Sequence, residues 1–185
     1  MARRLHDLPL WCIVQADGDR VCPTSRGPVP IQYWSASESL PLIQRSLHRA
    51  LRIAKPRQIV VTVADVHRTW WSDPLWCVPP HRRIVDELSG RQTVTLAAAL
   101  ALVEREAGEH AVLVVQPADT FYARENAFIA GVNRAVRTLD SLPAHVVTLT
   151  VEAFTNEPGQ DYLLLGAEDG LPGRSAQKFI KRPNP

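Results

Sequence analysis

The stretch VVQPADTF, residues 114–121, places a single carboxylate, Asp119, just past an apolar run. In open α/β sheets the C-terminal strand ends form the ligand-binding edge. An acid there has two uses. It can hold a divalent cation, since such ions take carboxylate oxygen, or it can cap the helix that follows. A second polar group, QADGDR at 15–20, also follows an apolar run and combines Gly18 with Arg20. Glycine lets backbone N–H groups approach an anion, but a Gly-Asp stretch also makes an ordinary turn. In the third, DELSGRQT at 86–93, Glu87, Arg91 and Thr93 surround Gly90. By themselves they read as a solvated loop.

The elements that must position these residues are visible as periodicity. Apolar runs recur at 10–15 (LWCIVQ), 58–64 (QIVVTVA), 111–116 (AVLVVQ) and 145–151 (HVVTLTV). The first three are continuous, as expected for strands buried on both faces. Helical patterns lie between them. Over 39–54, Leu40, Ile43, Leu47 and Leu51 share a face. The Ala- and Leu-rich 93–108 run is expected to be buried and to end on Gly108. Over 124–139, Phe128, Val132 and Val136 stand at helical spacing. Strand alternating with helix predicts an α/β fold with a doubly wound, mostly parallel sheet containing all four runs.

Two connections are long. Residues 16–34 are rich in Gly and Pro, and TWWSDPLWCVPPHRR at 69–83 holds three of the five tryptophans, Trp70, Trp71 and Trp76. Pro74, Pro79 and Pro80 argue against a regular helix there. The indoles either pack or form a surface for a protein partner. Residues 168–177 read as flexible.

Composition narrows the classes. With 185 residues, 45% of them hydrophobic, the chain suits one domain spanning 1–185. A net charge of +2 with dispersed basic residues gives no electrostatic grip on nucleic acid or a membrane surface. Three cysteines without a C-x-x-C pair argue against a disulfide framework. The histidines lack zinc-site spacing. No apolar run approaches the ~20 residues of a membrane span, and the N-terminus lacks the form of a signal peptide. A soluble cytoplasmic protein is the expectation.

Order and spacing of these motifs resemble the sugar-nucleotide pyrophosphorylases, a nucleotidyltransferase family, and most closely its mannose-1-phosphate guanylyltransferases. The resemblance runs from about Leu10 to Pro183. IVQADGDRVCPTSR, Ile13 to Arg26, is similar to the family loop L-A-G-G-S-G-T-R-L-W-P-L-S-R, with Gly18, Arg20, Pro23, Ser25 and Arg26 matching. SLPLIQRSLHRA resembles S-L-L-Q-R-T-L-x-R-L, and VTVADVHR resembles V-T-N-E-E-H-R. DELSGRQTV is similar to the base-facing L-E-P-V-G-R-N-T-A, VVQPADTF to L-P-A-D-H, and TNEPGQDYLLLG to R-P-E-T-G-Y-G-Y-I.

The resemblance implies a Rossmann-like nucleotidyltransferase domain that moves a nucleotidyl group from a nucleoside triphosphate to a sugar 1-phosphate. It implies Mg2+ at Asp119, and Arg20 as a catalytic phosphate contact. Gly18, Arg26, Glu87, Arg91 and Thr93 would meet the nucleotide, and Gly159 and Tyr162 the sugar. The departures gather at the chemistry. Gln15-Ala16 replaces a glycine pair, Asp17 and Asp19 bring negative charge to a triphosphate loop, Ile31 replaces a lysine, and Lys181 replaces a glutamate. The family's chain also continues beyond the matched part, supplying a second metal-binding Asp. The expectation is a nucleotidyltransferase relative with impaired or lost catalysis in nucleotide-sugar biosynthesis, a pseudoenzyme. The alternative is a non-catalytic module that binds a nucleotide, a nucleotide-sugar or a protein.

Overall fold

Strand β1, Leu10–Ala16, alternates between two apolar faces and is accordingly flanked and covered on both sides. A computed structural model describes residues 8–23, 27–35, 39–108, 111–142, 146–153, 161–167 and 173–181. β1 pairs in parallel with β2 (Ile59–Ala64) on one side and with β4 (Val112–Pro117) on the other. β3 (Arg83–Asp86) adds to β2, giving the all-parallel order β3-β2-β1-β4. The order reverses at β1, which brings the C-terminal ends of β1 and β4 together at a switch point.

Side-chain parity sorts the helices. Cys12, Val14 and Ala16 face α1 (Leu42–Leu51) through Ile43, Leu47 and Ala50. Trp11 and Ile13 face α3 (Gln92–Ala107) through Ala99, Leu102 and Val103. Cys12 stands beside Val114 in the ladder, so Val112 and Val114 point to the α1 face, where α4 (Glu125–Leu139) supplies Val132 and Val136. Helices therefore cover both faces, and the sheet is doubly wound. Gly108, with φ 63°, ends α3 where a left-handed turn suits glycine. Burying each large aliphatic side chain of these layers stabilises the fold by about 1.5–3 kcal/mol.

Four expectations need correction. The 145–151 run does not join the sheet. Its described part, 146–151, carries no strand, and Val146 and Val151 are 94% and 90% exposed. Leu149 docks instead toward α4, 3.6 Å from where a Cβ on Gly131 would lie. An alternating Val/Thr pattern needs a ladder partner to become a strand, and here a cavity of about 660 Å3 separates it from β4. β4 is thus an edge strand, with Leu113 and Val115 exposed on the α3 face and only its alternate residues buried. On α1 the buried stripe runs through Ile43, Ser46, Leu47 and Ala50, leaving Leu40 before the helix and Leu51 at its end exposed. α3 buries only Thr95, Ala99, Leu102 and Val103, because it covers one face of three strands and leaves Val94 and Leu100 in solvent.

The 69–83 connection contains the end of a short α-helix, α2 (Arg68–Trp71), which stops ahead of Pro74, and a 3-10 turn, Pro80–Arg82. Trp71 is a core residue, its indole N–H donating to the Ala64 carbonyl at 2.9 Å, so it offers no surface to a partner. Trp70 and Trp76 are exposed. β5 (Tyr162–Leu165) and β6 (Ala176–Ile180) form a separate antiparallel pair. Of the 168–177 stretch, 168–172 lies outside the described residues and Ala176 and Gln177 begin β6. No helix among the described residues is long and apolar enough to cross a membrane.

The edge position of β4 gives the first prediction. Ile13→Ala, at a wholly buried site, should cost about 2–5 kcal/mol in urea unfolding. Leu113→Ala should cost less than about 1 kcal/mol, because its side chain is already partly in water. Equal costs would mean that the outer face of β4 is covered in solution.

Candidate functional site

At the C-terminal end of β1 the chain leaves the sheet through Asp17, Gly18, Asp19 and Arg20, and cross-links fix its path. The Ala16 carbonyl accepts the Tyr33 hydroxyl at 2.9 Å and the Gln32 amide at 3.0 Å. The same Gln32 nitrogen donates to the Gly18 carbonyl at 2.7 Å. Gln32 and Tyr33 come from a single 3-10 turn, Ile31–Tyr33, so this turn cradles the loop. Burial raises the pKa of the Tyr33 phenol, which keeps it a neutral donor.

Asp17 turns inward. Its Oδ1 accepts the Thr62 hydroxyl at 2.9 Å, and its Oδ2 accepts the hydroxyl of Thr95 in the first turn of α3. All three residues are buried. Beside this carboxylate lies a cavity of about 100 Å3 lined by Gln15, Asp17, Gly18, Gln32, Gln92, Pro117 and Asp119. Gly18 is tight against its opposite wall, since a Cβ there would meet Gln92 Nε2 at 3.4 Å. Asp119 faces the loop from the β4 side and meets Arg20, Nη1 to Oδ2 3.5 Å, with the arginine mostly in solvent.

The β3–α3 loop closes this edge. Asp86 accepts N–H bonds from Arg91 at 2.9 Å and Leu88 at 3.1 Å, and Ser89 and Gly90 take positive φ (58° and 75°) to make the turn. The Arg91 N–H first, with those of Leu88 and Ser89, holds the Asp86 carboxyl below its usual range.

The sequence-predicted residues thus divide. Gly18 and Asp119 line one cleft, and Arg20 bonds to Asp119. Glu87, Arg91 and Thr93 lie exposed along the loop and helix start beside it, but Gln92 is the residue of that segment that reaches the cavity. Tyr162 sits in the β5–β6 pair and does not line the cavity. Arg26 and Gly159 lie outside the described residues. Thr62, Thr95, Gln32 and Gln92 belong to the site without standing out in the sequence. Thr62 falls in the V-T match, but no sequence signal marks Thr95 as a partner of Asp17.

Comparisons with known proteins bear on the fold. No family model matches the chain. It is 24% identical over 177 residues to a mannose-1-phosphate guanylyltransferase of Escherichia coli, covering 91% of this chain and 37% of that protein. It superposes with a TM-score of 0.78 and 19% identity on a crystal structure described as mannose-1-phosphate geranyltransferase from Thermus thermophilus, over 96% of this chain and 51% of that one. The fold is nucleotidyltransferase-like. The chain spans between about a third and a half of the length of these relatives.

A pH dependence follows from the Asp86 turn. Its folded-state pKa is depressed, so the stability it confers is complete above the unfolded value of about 3.9 and is lost as pH falls through the lower folded value. The stability difference between wild type and Asp86→Asn should be constant from about pH 5 to pH 7 and shrink below about pH 4. Chemical denaturation across that range checks it. A difference that grows in acid would contradict the assignment.

Proposed function

We propose that this chain binds a nucleotide or nucleotide-sugar at the β1–β4 strand ends, in the manner of the sugar-nucleotide pyrophosphorylases, with catalysis impaired or lost. The observation that carries this reading is the shared cleft. Gly18 and Asp119, far apart in sequence, line one cavity at the switch point, and Asp17 lines it as well. The impairment rests on the same residues. Nucleotidyl transfer needs positive charge and close backbone donors around the triphosphate. Here the loop presents the carboxylate of Asp17 at the cavity and that of Asp19 in solvent, and Ile31 supplies no charge.

The donor set limits the metal. Asp17 has an oxygen on each threonine hydroxyl, and among the described residues no group of three His, Cys, Asp or Glu side chains is arranged for a metal. Asp119 alone fits Mg2+, as one ligand shared with phosphate oxygens and waters. The ion, when bound, neutralises phosphate charge. Asp119 would then have to exchange Arg20 for it, and an ion pair at 3.5 Å whose arginine is mostly in solvent is weak enough to allow the exchange. Arg20, released, would be free to meet a phosphate, and Gln92 and Gln15 would offer amides from the cavity lining.

A second reading, a protein-interaction surface, is supported by the exposure of Trp76 (79%) and Trp70 (40%) in the β2–β3 connection. Exposed indoles are strong candidates for partner contact.

The test pairs binding with turnover. Calorimetry with GTP, ATP and GDP-mannose, with and without Mg2+, should give binding. A coupled pyrophosphate-release assay with GTP and mannose 1-phosphate should run at least about a hundredfold below an active guanylyltransferase, because deleting one preorganised charge costs ~3–4 kcal/mol of barrier. Robust turnover abolished by Asp119→Ala would refute the impairment, and silence in both experiments would favour the interaction surface.

A further inference from the structure

Asp119 makes few bonds of its own. Besides Arg20, its carboxylate accepts only a long 3.4 Å contact from the Thr120 hydroxyl among the described bonds. It is carried by a turn, 118–124, that has no regular secondary structure. What gives the turn its shape is a side chain from another element. Arg49 of α1 is wholly buried, the largest fully buried side chain among the described residues. Its guanidinium donates to Ser46 on its own helix and to three residues around Asp119. Nη2 donates to the Thr120 carbonyl at 3.3 Å and to Ser46 Oγ at 2.6 Å, and Nη1 to Glu125 Oε1 at 3.3 Å. Nε reaches Gln116 Oε1 at 3.5 Å, and the plane lies over the Tyr122 ring, 4.8 Å from its centroid.

We propose that Arg49 is the positioning residue of Asp119, clamping the β4–α4 turn so that its carboxylate faces the cleft. The contacts enclose Asp119 in sequence, Gln116 before it and Thr120, Tyr122 and Glu125 after it. A buried guanidinium must satisfy its donors, so the turn is determined as strongly as the charge is costly to leave unpaired. A planar fork of five N–H donors meets a carbonyl, a carboxylate, an amide oxygen and a hydroxyl spread around it, where an ammonium offers three donors from a single point. Arg49 does not line the cavity. Its effect on binding runs through the backbone of the turn, like an outer-shell partner that orients a metal ligand. The inference rests on the proposed role of Asp119, but the hold on the turn can be measured without any ligand.

The experiment compares wild type, Arg49→Lys and Glu125→Gln. The last removes the clamp's acid at a partly exposed helix start and keeps Arg49. One readout is the set of backbone amide order parameters by NMR without ligand. The other is Mn2+ affinity, by electron paramagnetic resonance, in the presence of GDP-mannose. Arg49→Lys should lower order at 118–124 while β1 and β2 stay rigid, and should weaken Mn2+ binding about 10- to 100-fold. Glu125→Gln should move both readouts the same way by less, and it decides the matter if Arg49→Lys does not fold. Order at 118–124 unchanged in the folded variants, or lowered equally throughout the sheet, would overturn the proposal. Absence of Mn2+ binding in wild type would refute the metal role of Asp119, and the order parameters would still decide what Arg49 does.

Discussion

Between β1, β2 and α3 sits one carboxylate held by two hydroxyls, and the shape of the cleft follows from it. Asp17 is buried and has no cationic partner among the contacts described; Thr62 and Thr95 supply its hydrogen bonds. Removing a carboxylate from water is costly unless such bonds are made, so the three residues form a unit that tolerates little displacement. The unit pins the end of β1 to β2 and to the first turn of α3. It therefore fixes where Gln92 stands against Gly18, and how wide the cavity between them is. On the other side, Gln32 and Tyr33 hold the same strand end by its carbonyls. Asp119 completes the rim from β4, supported from beneath by the buried guanidinium of Arg49.

This arrangement inverts the logic of a phosphate loop. A loop that binds polyphosphate turns its N–H groups outward and keeps negative charge away. Here the loop after β1 puts an acid at the cavity wall and spends its carbonyls on a glutamine and a tyrosine. The arginine of that loop, Arg20, is paired with Asp119. The fold places a cleft at the usual position for an open sheet, and on the proposed reading the acids in it would oppose a triphosphate.

Much of the architecture was legible because it is written in periods. Continuous apolar runs marked β1, β2 and β4 as parallel strands, and i, i+4 spacing of Phe128, Val132 and Val136 marked α4. What sequence did not show is which neighbours each element keeps. The 111–116 run reads like β1, yet β4 is an edge strand, since run composition does not count covering layers. The 145–151 run has strand propensity without a ladder to join. Of the residues that line the cavity, Gly18 and Asp119 stand out in the order of the motifs, whereas Asp17 pointed to repulsion but not to its threonines. Hydroxyl pairing depends on the crossing of β2 and α3, whose threonines lie 45 and 78 residues further along the chain, and leaves no local pattern. Trp71 and Trp70 are adjacent and identical, and only the packing of α2 on β2 buries one and exposes the other.

The measurement closest to the central claim is the effect of Asp17→Asn on stability and on triphosphate affinity in the same protein. A unit charge about 10 Å from a phosphate contributes about 1.7 kcal/mol at an effective dielectric near 20. Removing it should tighten binding of GTP with Mg2+ by about tenfold or more. The same substitution should lower stability by about 1–3 kcal/mol, because the threonine hydroxyls lose a charged acceptor. Opposite movement of the two quantities is the predicted result. If affinity falls with stability, or stays unchanged, Asp17 is part of a working nucleotide site and the reading of this cleft as a weakened one is wrong.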